Sequence, residues 1–179
     1  MSRNRYVSDY RIVESIDGRG RIRSDYEYIG APYVYAEDAG VVRAARTRVS
    51  TCCLAGWVAW MAALVPLSAA TRRLYTALPH VFAALPLALM TGLAMSLFRE
   101  KEPFEHQHAD RLENRGPACS FFTALLSGVA LAGEGINLLR GIELLPGDGL
   151  FSAGAAVLLA CGIFCHRQWK RLKCRAKTQ

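Results

Sequence analysis

The chain has 179 residues, 52% of them hydrophobic, with 22 Lys and Arg against 15 Asp and Glu for a formal charge of +7. That length holds one domain, so a large soluble catalytic domain cannot accompany a membrane bundle. The tail from His166 onward carries Arg167, Lys170, Arg171, Lys173, Arg175 and Lys177 without a carboxylate, which is +6 of the +7. The basic balance therefore reflects membrane topology, and no nucleic-acid-binding motif accompanies it.

The first thirty residues are charged throughout and hold no apolar h-region, so they do not read as a signal peptide, and the first span is expected to act as the insertion signal. Within segment 1–37, Tyr10, Ile12, Glu14 and Ile16 alternate with Arg11, Val13 and Ser15. Asp17-Gly18-Arg19-Gly20 follows, and then a run from Arg21 to Ile29 sets Ile22, Ser24, Tyr26 and Tyr28 on one face. Two alternating runs about a glycine-rich break predict a β-hairpin. Tyr33-Val34-Tyr35 predicts a third short extended piece after Gly30-Ala31-Pro32. A lone hairpin is marginal in water. Its tyrosines, Tyr26, Tyr28, Tyr33 and Tyr35 among them, suit a protein interface, the headgroup layer or packing on the protein's own loops.

Asp38 is placed to cap a basic juxtamembrane helix over 38–48, with Arg43, Arg46 and Arg48 marking a cytoplasmic boundary. This helix either continues into the first span or lies on the membrane. Segment 49–169 then reads as an all-α bundle of four transmembrane helices, at about 49–70, 74–98, 118–139 and 149–167. Each stretch is nearly free of charge, and at 1.5 Å per residue the first three match a hydrocarbon core of roughly 30 Å. Pro86, deep in the second stretch, predicts a kink.

Lipid tails are as apolar as leucine, so close packing needs small residues. Stripes at intervals of four occur in all four spans: Ala55, Ala59 and Ala63; Ala84, Ala88, Gly92 and Ser96; Ala124, Gly128 and Ala132; Ser152, Ala156 and Ala160. They face either a neighbouring helix or another subunit.

Between the first two spans, Thr71-Arg72-Arg73 predicts a tight connection. In the loop from Arg99 to Pro117, Phe104, His108 and Leu112 recur at intervals of four, which predicts a short amphipathic helix beneath the bundle. Pro146-Gly147-Asp148-Gly149 reads as a turn before the last span, and residues 170–179 as a basic tail. Lys and Arg concentrate before the first span, in the second loop and in the tail, whereas the other side has Arg72, Arg73 and Arg140. Both termini are thus expected in the cytoplasm of a bacterial cell membrane, with anionic lipid attracted to the tail.

Three polar positions are candidates inside the bundle: Glu134 with Asn137 at i+3, and His80. An intramembrane carboxylate faces a bundle interior, a cavity or a partner. Glu134 is read either as a structural carboxylate that hydrates or pairs with Arg140 or Arg72, or as a proton- or ion-coupled site, with His80 as a possible partner. His106 and His108 diverge on a helix and do not specify a metal site. The six cysteines map toward the cytoplasmic side and include no CxxC pair, which argues against disulfides and thiol redox chemistry. No Walker, HExxH or GxSxG motif is present.

These readings favour a non-catalytic accessory or structural subunit without a cofactor. It would dock a membrane or cytoplasmic protein partner, or a second copy, through Tyr26, Tyr28, Tyr33, Tyr35, Phe104, His108 and Leu112. The alternatives are a small oligomeric transporter using His80, Glu134 and Asn137, and a membrane enzyme acting at the inner face.

Overall fold

The computed structural model describes residues 7–16, 22–64, 73–99, 102–142, 145 and 147–177. In chain order these form strands β1 (Tyr10–Ile16), β2 (Ile22–Tyr28) and β3 (Tyr33–Tyr35), helices α1 (Ala39–Leu64), α2 (Leu74–Phe82), α3 (Ala84–Arg99), α4 (His106–Asp110), α5 (Gly116–Leu139) and α6 (Asp148–Arg171), and strand β4 (Cys174–Ala176). The Asp17–Gly20 break, the end of the first quiet stretch at 65–70, Thr71-Arg72 and Pro146 lie outside the described residues.

Three helical stretches are long and apolar enough to cross a membrane: Leu74–Arg99 with 26 residues, His106–Leu139 with 34 and Asp148–Arg171 with 24. They turn apolar side chains outward, Leu85 and Leu89 on α3, Phe121, Phe122 and Val129 on α5, and Ile163 and Phe164 on α6. In water such a surface would aggregate; in lipid it is solvated. The chain is an integral, multi-pass membrane protein with a multi-helix bundle and a small antiparallel hairpin.

Helix α6 packs along both α1 and α5, α3 packs on α1 and α5, and α2 packs on α5. Glycines set the closest approaches. A Cβ on Gly154 would lie 2.7 Å from the Ala59 carbonyl oxygen, and one on Gly162 would lie 2.7 Å from the Ala124 nitrogen. Only glycine admits backbone contact this close. On α5 the buried hydroxyls of Ser120, Thr123 and Ser127 donate to the carbonyls of Gly116, Cys119 and Thr123 at 3.0, 2.9 and 2.8 Å. Back-bonding of this kind satisfies a hydroxyl in hydrocarbon without a second helix.

The small-residue stripes divide. Ala59 and Ala63 are buried against α6, whereas Ala88 and Gly92 of the second stripe and Ala156 and Ala160 of the fourth face outward. Spacing identifies a stripe but not its direction, which is set by the helices that pack on it. The second span is broken just ahead of its stripe. That break falls at Ala83, where α2 ends and α3 begins. Pro86 has no N–H to offer the Phe82 carbonyl four residues earlier, which ends the first segment there.

The juxtamembrane residues and the first quiet stretch as far as Leu64 form one continuous helix, α1. The amphipathic helix expected beneath the bundle is not a separate element. Phe104 precedes α4, and α4 runs through a π-helical turn at Arg111–Arg115 directly into α5. Pro117 explains the wide turn, since it leaves the Glu113 carbonyl without its i+4 donor and the ladder must widen locally.

Segments far apart in sequence close one end of the bundle. In the hairpin Tyr10 pairs with Tyr28 and Ile12 with Tyr26. β3 pairs antiparallel with β4, Tyr35 opposite Cys174, so the extended piece before α1 is bound to the residues after α6. Tyr33 and Phe104 exchange backbone hydrogen bonds of 2.8 and 3.0 Å, which adds the second loop to the same cap.

Candidate functional site

The end opposite the cap holds the intramembrane polar residues. Glu134 and Asn137 are one helical turn apart on α5, and both are buried, at 3% and 2% exposure. Asn137 Nδ2 donates to Glu134 Oε2 at 3.0 Å, while Asn137 Oδ1 accepts from the Tyr75 hydroxyl on α2. Arg73 Nη1 reaches the same hydroxyl at 3.3 Å. Glu134 is thereby linked to an arginine through an amide and a phenol. Its second oxygen, Oε1, is buried without a hydrogen-bond partner among the described residues. Close packing brings α2 here: a Cβ on Gly133 would lie 2.6 Å from Thr76 Cγ2.

The structure does not pair Glu134 with Arg140, which is exposed, and Arg72 lies outside the described residues. His80 is fully buried but sits in an aromatic slot. Its ring stacks on Trp60 with centroids 6.2 Å apart and meets Phe151 at 5.0 Å. Trp60 Nε1 donates to the His80 carbonyl at 2.8 Å, and His80 Nε2 approaches the Trp60 carbonyl at 3.4 Å. His80 Nδ1 is buried and has no hydrogen-bond partner among the described residues. No hydrogen bond joins His80 to Glu134 among the described residues, and the two have different surroundings, on α2 and α5.

At the cap, residues expected to dock a partner are largely occupied with one another. Tyr35, Phe104 and Leu112 are buried at 4%, 5% and 0% exposure. Tyr35 meets the Phe104 ring at 5.0 Å and the Arg46 guanidinium at 5.5 Å. Tyr33 stacks on His106 at 5.0 Å, and His108 meets Phe104 edge-on at 5.1 Å. The Tyr28 hydroxyl donates to the Ala31 carbonyl at 2.9 Å and accepts from the His106 backbone N–H at 3.0 Å. Tyr26 alone of these seven projects freely, at 75% exposure. Ile12 opposite it and Ile22 beyond are also exposed, at 60% and 71%.

Several cap residues were not distinguishable as sequence. Tyr10 donates to the Glu105 carboxylate, which pushes its pKa up to about 12, chiefly because the phenolate would lose that bond and face a like charge. Asp9 Oδ2 lies 3.1 Å from His106 Nδ1, and Glu113 Oε1 accepts from the Cys174 backbone N–H at 2.7 Å. Burial first, and then the charges of Glu113 and Glu102, push the Cys174 thiol up to about 12. It is therefore a neutral packing group and no nucleophile. All six cysteines are free, with Cys52 of α1 in hydrogen-bonding reach of Cys161 and Cys165 of α6. Among the described residues no three His, Cys, Asp or Glu side chains are grouped to hold a metal ion.

A third feature is a groove of about 880 Å³ between α3 and the π turn and first half of α5. Its walls include Leu85, Ala88, Leu89, Gly92, Leu93, Cys119, Phe122 and Leu126, and His108, Arg111 and Arg115 stand at one end. Comparison of the chain with protein-family models, with curated proteins and with solved structures gave no match, so functional argument rests on this geometry.

Proposed function

We propose that the chain is a four-span, non-catalytic accessory subunit of a cell-membrane complex, with both termini cytoplasmic, that docks a partner through the distal half of its hairpin. Support for a fourth span comes from α1, whose exposed Leu54, Val58 and Met61 recur along one face as a lipid-facing stripe. The quiet stretch continues beyond Leu64 in the sequence. Support for the orientation comes from the cap, where the basic tail, the second loop and the amino-terminal segment meet at one end. A bacterial cell membrane fits this charge bias, and the exposed basic tail would hold anionic lipid.

The observation that carries the docking role is the exposure of Ile12, Tyr26 and Ile22. The near end of the hairpin is pinned by Tyr10 and Tyr28, while its distal apolar residues stay exposed among the described residues. An isolated ribbon gains little from such residues, whereas an interface uses aromatic and aliphatic anchors of this kind. The test is native mass measurement in mild detergent with crosslinking at Tyr26. The wild type should recover as a larger assembly, and Ile12→Asp with Ile22→Asp should release the partner while leaving thermal stability unchanged. A monodisperse single chain whose crosslinking is indifferent to those substitutions would refute the role.

A second reading, a small oligomeric transporter, is favoured by one observation, the buried Glu134 with an unpartnered oxygen. Such a group suits proton exchange or cation coordination. Glu134→Gln should then abolish flux in proteoliposomes, and unchanged flux would remove the site.

A further inference from the structure

We infer that the groove between α3 and α5 is a binding site for one anionic phospholipid, with an acyl chain along α3 and the headgroup phosphate on Arg111 and Arg115. This site is distinct from the basic tail. Three observations place it. The groove is walled by apolar side chains from Phe82 to Leu93 on one side and from Ala118 to Leu126 on the other. It is open along the stretch where Ala88 and Gly92 leave the α3 surface low; a Cβ on Gly92 would meet nothing within 4 Å. From Leu85 to Ser96 the α3 wall runs about 17 Å at 1.5 Å per residue. One leaflet contributes about half of a ~30 Å core, so an acyl chain fits inside that length.

The charge sits at one end only. Arg111 and Arg115 line the mouth beside His108, and both are exposed and make no ion pair or side-chain hydrogen bond among the described residues. They lie on the π turn, immediately before the apolar part of α5 begins. Two guanidinium groups at headgroup depth, above an apolar trough that opens sideways to lipid, match an amphiphile with a phosphate at one end. A second copy's helix would fill the trough but would leave these arginines facing the membrane surface without an anion.

The test uses the full chain, delipidated in mild detergent and titrated with phosphatidylglycerol or with phosphatidylcholine of the same acyl chains, with bound lipid counted by native mass spectrometry. One phosphatidylglycerol should be retained in preference to phosphatidylcholine. Arg111→Gln with Arg115→Gln should weaken retention on the order of 10-fold. Gly92→Leu changes no charge and enters open space, so the fold is kept while the trough is filled, and the specific lipid should be lost. Equal retention of the two lipids, or retention unchanged in Gly92→Leu, would overturn the proposal, the latter assigning the lipid to the tail. A dimer that Gly92→Leu converts to a monomer with lipid retention intact would also overturn it and give the groove to a second copy.

Discussion

The two ends of the bundle bring their polar groups together by different routes. At the cap, charged and phenolic groups from three distant segments meet near the protein surface and satisfy each other: Tyr10 with Glu105, Asp9 with His106, Glu113 with the Cys174 amide. At the other end, Glu134, Asn137 and His80 are buried among helices; each end also keeps buried atoms without a hydrogen-bond partner among the described residues, Glu134 Oε1 and His80 Nδ1 here and the Tyr35 hydroxyl and Arg46 Nε at the cap. At the cap the paired groups come from segments far apart in the chain, so their network reports assembly. Among helices in hydrocarbon an unpaired carboxylate oxygen is expensive, so the persistence of Glu134 points to a use.

This contrast can be broken from either side. The largest effect is expected at the junction of cap and bundle, where Trp169 is 1% exposed and a Cβ on Gly116 would lie 2.6 Å from its ring. Trp169→Ala should cost about 3–5 kcal/mol, read as a lower midpoint of thermal unfolding in detergent together with faster amide exchange in β3 and β4. Gly154→Val attacks the opposite half, at the 2.7 Å approach to Ala59. About 1–3 kcal/mol is expected, with exchange accelerated in α1 and α6 while the cap stays protected. If both substitutions loosened both ends equally, the ends would not be separable units.

Smaller changes sharpen the comparison. Tyr10 in the folded chain titrates above its ordinary value of 10, at about 12. Its contact with Glu105 therefore contributes fully below pH 10 and is lost as pH rises through about 12. Ultraviolet titration should resolve a late phenol that disappears in Tyr10→Phe, with the bundle's helical signal unchanged. Smallest is the stability effect of Ile12→Asp with Ile22→Asp, expected within about 0.5 kcal/mol because exposed residues contribute little to the fold. A larger loss would mean that the distal hairpin is packed in solution.

Periodicity made the hairpin and the apolar helices legible, because the two-residue alternation from Tyr10 to Ile16 and the long charge-free stretches are local signals. The pairing of β3 with β4 was not legible, since Tyr33 to Tyr35 and Cys174 to Ala176 are separated by the whole bundle. Nor was the continuity of α4 with α5, because a proline ordinarily marks a helix start and Pro117 instead sits just beyond a π turn. Glu134 and His80 stood out as polar residues in apolar runs. Their separate surroundings depended on Tyr75, Trp60 and Phe151 arriving from other helices.

The strand pair that joins the two flanks of the bundle also imposes an order on biogenesis. Cys174 to Ala176 leave the ribosome after α1 to α6 have been made, so β3 waits with an unpaired edge until then. Closure of the cap thus reports that α1 to α6 have been made. A chain stalled before residue 174 would lack β3's partner strand at the mouth of the translocation machinery, a plain cue for quality control.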